Sequence, residues 1–190
     1  RGVPNIYYGT EQYVVPADGS DVSGRIFMQT DSSFDTDTTA YKMIGKLSEL
    51  RQQNDAIAYG TTTIRYSNDD VLIYERKFYD DVILVAINRQ PDKAYTIDNV
   101  ETLLPEGEYV DFLGGMLNGE NISVYASTGI NTTASITLDG GEVGVWQYDA
   151  AASAPEIGNV VSTMGRAGNR VYIYGDGLDG NISVKFGETE

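Results

Sequence analysis

With 190 residues, of which 41% are hydrophobic and 11% aromatic, the chain has the length and apolar content for one large or two small cored domains, and it is not a disordered one. It contains no cysteine and no histidine, which excludes disulfides, thiolate metal sites and any mechanism in which a histidine activates a nucleophile within these residues. The formal net charge of −15, from 13 basic and 28 acidic residues, argues against a nucleic-acid partner, whose phosphates need the opposite sign. A neutral ligand is indifferent to that field, and no apolar run approaches the ~20 residues that would cross a membrane.

The chain starts inside an apolar run, RGVPNIYYGTEQY, in which Val3, Ile6, Tyr7 and Tyr8 read as a strand ending in a turn over 1–13. Beginning within a strand suggests a piece of a longer protein, and an unpaired strand of this kind would seek the rest of that protein or a second copy. Residues 14–37 lack periodicity and form a long loop of the sort that often carries function. Residues 38–53 hold the one convincing helix: Ala40, Met43, Ile44, Leu47 and Leu50 recur at three- and four-residue steps, which places them on one face. Asp37 or Thr38 supplies its N-cap. In its last turns Glu49 opposes the helix dipole and Arg51 complements it.

From residue 61 the period becomes two. TTTIRYS and VLIYERKF flank Asn68, Asp69 and Asp70 and predict a hairpin. DDVILVAINR is continuously apolar, as a strand covered on both faces should be. Further strands are expected at 94–98, 107–113, 121–125, 134–138 and 142–148, each bounded by Gly, Asn or Asp. Short strands at this spacing without helices between them imply an antiparallel β-sandwich. DAAASAPEIG, 149–158, is a linker by composition. About three more strands follow it, too few to close a second sandwich.

The residues then resemble a known family. GVPNIYYGTEQ is similar to the segment that closes the eighth strand of the (β/α)8 barrel in the α-amylase family. TTAYKMIGKLSELRQQNDAIAYGTT, VLIYERKF, VAINR, DFLGGMLNG, VGVWQY and PEIGNVVSTMGRAGNRVYIYGDGL, in that order, resemble the cyclodextrin glycosyltransferases. The resemblance implies a mainly β chain in three parts. Residues 1–55 would be the end of the barrel, 56–150 the β-sandwich called domain C, and 151–190 the start of an immunoglobulin-like (IPT/TIG) β-sandwich, domain D. It further implies a secreted enzyme acting on α-1,4-glucans by retaining double displacement, with paired carboxylates ~5 Å apart. In the family these lie upstream of Arg1, as do the ligands of the calcium expected in the parent enzyme. No catalytic residue and no cofactor site is therefore expected in these 190 residues. The implied partners are starch or maltooligosaccharide and the rest of the enzyme. A maltogenic α-amylase fragment, and a non-catalytic starch-contacting module, are the competing readings.

Four residues carry candidate sugar contacts. In DVSGR, Asp21 and Arg25 match an Asp and Arg four residues apart that hold sugar on the non-reducing side of the cleavage point; a carboxylate and a guanidinium grip hydroxyls by charge-assisted bonds. Tyr66 stands where the family often has a Trp at a maltose site on domain C, and Asn99 where it has a Gly of the same site. Trp146, the single Trp, alternates with Val143, Val145 and Tyr148 and is expected in the core. Asp35 and Asp37 have calcium-like spacing, but Lys46 stands where an EF-hand loop needs its Glu, so capping and solvation are expected of them. The pairs Asp69–Asp70 and Asp80–Asp81 sit at turns with side chains pointing opposite ways. NIS at 121 and 181 and NTT at 131 fit the N-glycosylation pattern.

Overall fold

In a computed structural model, residues 5–15, 34–127, 129, 131–152, 154–180 and 182–185 are described, and the chain divides into two units, 1–50 and 51–190. In the first, the strand expected over 1–13 does not form among residues 5–15. These contain a single 3-10 turn at Thr10–Gln12, entered through Gly9 at φ 86° and left through Tyr13 at φ 54°. The backbone here closes turn bonds, Thr10 N to Tyr7 O at 3.2 Å and Val14 N to Gly9 O at 3.1 Å, rather than the ladder that defines a strand; Ile6 and Tyr7 are 53% and 58% exposed. Side chains fix the turn instead. The Tyr13 hydroxyl accepts from the Ala40 amide at 3.0 Å, and Gln12 exchanges two bonds with the backbone of Asp35.

Helix α1 (Thr39–Gln53) follows the expected span. Thr38 is its N-cap, with Oγ1 accepting from the Tyr41 amide at 3.1 Å. Asp35 accepts from the Asp37 amide and Asp37 pairs with Lys42 at 3.0 Å, so both loop carboxylates serve local turn and ion-pair roles. Along the apolar face Ala40 and Leu50 are buried, while Leu47 remains exposed.

In the second unit, just past α1, Asn54 is fully buried, and its side chain caps the one-turn helix α2 (Asp55–Ala58) by accepting from Ala56 N. The same amide group donates to Tyr148 O at 3.0 Å, joining the first element of the unit to its eighth strand. Strands β1 (Thr61–Ser67), β2 (Val71–Phe78), β3 (Asp81–Asn88) and β8 (Val143–Tyr148) form one antiparallel sheet in the order β1-β2-β3-β8. Strands β4 (Tyr95–Thr102), β5 (Gly107–Tyr109), β6 (Ile122–Ala126) and β7 (Thr132–Leu138) form the other, ordered β4-β7-β6-β5. Their inner faces meet as a sandwich: Val71, Ile73, Val82, Leu84, Ala86 and Trp146 from the first pack with Val100, Ile122, Val124, Ala134, Ile136 and Leu138 from the second. Apart from Ile87, every residue of β3 is buried, because α2 packs on the opposite face of β2 and β3. That accounts for its continuous apolar sequence.

Two expected strands differ in length by several residues, each for an identifiable reason. β4 runs on to Thr102 through a bulge at which Asn99 takes φ 55°; the extra residue breaks the alternation that marks a strand in sequence. β5 stops at Tyr109 because the buried Asp111 folds the chain over. Its carboxylate accepts from Gly115 N at 2.8 Å and Val145 N at 3.0 Å. Of the terminal strands, β9 (Glu156–Val161) and β10 (Tyr172–Asp176) pair antiparallel, and residues 182–185 form no third strand.

Most of the motif residues are folding determinants. Trp146 is 1% exposed and its indole N–H donates to Glu120 O at 2.9 Å. Its ring lies over Gly144, where a Cβ would stand 2.5 Å from the ring carbons. Arg76 ties the end of α2 to the sheet by donating to Ala56 O, Gly60 O and Thr62 Oγ1.

Candidate functional site

Asp21 and Arg25 lie outside the described residues. Tyr66 and Asn99 fall on β1 and β4, the edge strands of the two sheets, which lie against one another. A bulge sets the position of Tyr66. Ile64 pairs with Tyr74 on the outer face, whereas Tyr66 pairs with Ile73 on the core face, and the extra residue between them is Arg65. Without that insertion Ile64 and Tyr66 would share a face. The Tyr66 ring is half-buried against the core, and its hydroxyl accepts from Asn68 Nδ2 at 3.0 Å.

Asn68 in turn holds the hairpin, with Oδ1 accepting from the amides of Asp70 at 2.8 Å and Val71 at 2.6 Å. The Asp70 carboxylate accepts from the Tyr95 hydroxyl and from Gln90 Nε2. Those two bonds, with smaller help from the Lys93 and Arg89 charges, hold its pKa below the usual carboxylate value. Lys93 stands over the Tyr95 ring at 4.3 Å. This end of the sandwich thus carries one partly free aromatic ring and a polar ridge beside it. Asn99 is exposed, and its left-handed φ of 55° is one that Asn tolerates and Gly adopts freely. An exchange between the two therefore preserves the backbone while adding a side-chain amide.

A second constellation, at the far end of β2, was not legible as a motif. The pairing of Val82 with Tyr148 brings the residues flanking it, Asp81 and Asp149, to one end of the sheet. Asp81 is 4% exposed and accepts from Ala150 N at 2.9 Å, while Asp80 beside it is exposed. Asp55, Asp81, Asp149 and Asp176 surround a cavity of about 440 Å³. Burial first, and the neighbouring carboxylates second, push the pKa values of Asp149 and Asp55 up. Among the described residues no three carboxylates come together closely enough to hold a metal ion. Strand register accounts for two of the four, since Asp81 directly precedes Val82 and Asp149 directly follows Tyr148 in the paired runs.

Residues 65–149 match the α-amylase C-terminal all-β domain. A cyclomaltodextrin glucanotransferase of Geobacillus stearothermophilus is 48% identical over 190 residues, 100% of this chain and 26% of that protein. The crystal structure of the γ-cyclodextrin glucanotransferase (γ-CGTase) from alkalophilic Bacillus clarkii superposes with a TM-score of 0.81 at 45% identity, covering 96% of this chain and 26% of its own. A cyclomaltodextrin glucanotransferase described as having a three-domain ABC distribution gives 0.69 at 45% identity and covers 79% of this chain and 30% of its own. The chain spans about a quarter of the length of the curated relatives it matches. Along its whole length the chain is homologous to about a quarter of the cyclomaltodextrin glucanotransferases, and the sandwich at its centre matches the α-amylase C-terminal all-β domain.

Proposed function

We propose that this chain is the accessory portion of an extracellular enzyme that acts on α-1,4-glucans and passes the cleaved glycosyl group to a sugar hydroxyl, making cyclodextrins. The observation that carries this reading is 48% identity to a cyclomaltodextrin glucanotransferase across all 190 residues. In this reading residues 1–55 end the catalytic barrel, 56–150 brace it and 151–190 open the next domain. Starch is a polymer too large to import, which favours a secreted enzyme. Asp21 and Arg25 hold donor sugar in the barrel loop by paired charge-assisted bonds. Tyr66 and Asn99 offer a secondary contact, with the free part of the Tyr66 ring against the apolar face of a glucose.

Three buried carboxylates, Glu75, Asp81 and Asp111, are committed to folding, which supports an accessory role. Glu75 pairs with Arg65, and Asp111 and Asp81 accept backbone amides. The test is to express the chain with the segment upstream of Arg1 and separate its products from soluble starch. Cyclodextrins are expected; release of linear maltose alone would replace transfer by hydrolysis, and no product would remove the reading. Affinity electrophoresis in amylopectin with Tyr66→Ala tests the secondary contact, which equal retardation of variant and parent would remove.

A further inference from the structure

We propose that the sandwich carries a second sugar pocket, at the end away from Tyr66. It would seat a short piece of a neutral glucan on the Tyr148 ring, with Lys77, Asp80 and Asp149 as its polar contacts. This rests on the glucan-active reading above and adds to it a site and a mode of recognition. β2 starts beside Asn68 and finishes at Phe78, so Lys77 stands at the opposite end of that strand from Tyr66. There a cavity of about 480 Å³ opens between Lys77, Asp80, Tyr148 and Asp149 on one side and Leu103 and Pro105 on the other. That size falls in the range of small-molecule sites.

The lining chemistry selects the ligand. Tyr148 is 37% exposed and offers ring surface to the C–H face of a sugar. Pro105 is fixed opposite, its carbonyl accepting from the Tyr109 hydroxyl at 2.8 Å. Lys77 is half-buried, and among the described residues it has no carboxylate within ion-pair distance, so its ammonium has donors to give to an incoming oxygen. An anion is disfavoured, because two carboxylates face one ammonium and the adjoining cavity adds Asp55, Asp81 and Asp176. A metal ion is disfavoured by the spread of the same carboxylates.

A neutral polyol satisfies all of these groups: its hydroxyls donate to Asp80 and Asp149 and accept from Lys77. Asp149 gains most, since burial and three neighbouring carboxylates already disfavour its charge and hydroxyl donors favour it. The two cavities share Asp149, Ala150 and Ala151, so a chain longer than one glucose has a polar path along the linker.

The test is titration of the ¹⁵N-labelled 190-residue chain with maltotriose, following backbone amides. Shifts are expected at residues 77–80, 103–104 and 148–151. Tyr148→Ala is expected to weaken binding at those amides by about fivefold. Lys77→Met, a change at a half-buried rim that leaves the core untouched, is expected to weaken it in the same direction. Movement at 64–68 and 98–100 with silence at 77–80 and 148–151 would overturn the pocket and leave the glucan reading standing. Silence throughout would overturn the pocket, and starch products from the longer protein would still decide the reading separately. Unchanged affinity in both variants would also overturn it.

Discussion

Arg65 and Glu75 lie on adjacent strands of one hairpin and meet inside the sandwich, Nη2 to Oε1 at 2.5 Å, with side chains 10% and 1% exposed. The bulge that inserts Arg65 into β1 turns its guanidinium inward. The second Glu75 oxygen crosses to the other sheet, accepting from Thr102 Oγ1 at 2.6 Å and Leu103 N at 2.8 Å. One carboxylate therefore joins β1, β2 and the end of β4. Arg65 Nε is buried without a partner among the described residues, so the pair is not fully satisfied. Arg65→Met is expected to destabilise by about 3–5 kcal/mol, because it leaves Glu75 charged and buried. Arg65→Met with Glu75→Leu should recover part of that loss. Urea denaturation of both variants measures it, and a single variant no weaker than the double would contradict the role given to the pair.

The stacking of Trp146 over Gly144 makes a second expectation. A methyl group at position 144 would stand 2.5 Å from the indole, so Gly144→Ala should cost about 1–3 kcal/mol through overpacking. It should also shift the fluorescence of the single Trp toward that of an exposed indole. Trp146→Ala is expected to cost about 3–5 kcal/mol. Parent-like emission and midpoint in Gly144→Ala would contradict this packing.

The carboxylates around the 440 Å³ cavity give a pH dependence. The pKa of Asp149 is raised in the folded chain, so the folded state holds its proton more tightly than the unfolded one. By linkage, stability declines as pH rises from the unfolded value of about 3.9 through the folded value. Asp149→Asn removes that cost: its melting temperature should exceed the parent's at pH 7, and the difference should close below pH ~4. Melting curves across that range check it, and a constant difference would contradict the crowding.

Asp70 has the opposite sign. Its pKa is lowered by the Tyr95 and Gln90 hydrogen bonds, so its contribution is present above the ordinary carboxylate range and disappears as pH falls through the depressed folded value. Tyr95→Phe should reduce stability at neutral pH, and the deficit should shrink under acid. A deficit that grows on acidification would contradict the assignment.

Much of this fold is written locally. β1, β2 and β3 match their patterns because each alternating or continuous apolar run ends at Asn, Asp or Gly, and of the two expected caps, Asp37 and Thr38, it is Thr38 that caps α1. What the pattern misses depends on partners elsewhere in the chain. The bulge at Asn99 is invisible without β7, and the turn at Asp111 depends on Val145, 34 residues on. Residues 5–15 look like a strand yet fold as a turn, held by the side-chain bonds of Gln12 and Tyr13 to Asp35 and Ala40. The sugar-site candidates divide the same way: Tyr66 was found by resemblance, but that it packs against the core follows from the bulge at Arg65. The Lys77–Tyr148 pocket exists only once β3 and β8 are paired, and the Asp81–Ala150 bond beside it spans 69 residues.

The proposal at the centre of this account is that these 190 residues serve a glucan-active enzyme as its accessory portion without performing the chemistry themselves. Incubating the purified chain with soluble starch, and assaying both new reducing ends and cyclodextrins, tests this most directly. No turnover above a heat-denatured control is expected. Starch conversion that co-purifies with the folded chain would contradict the account.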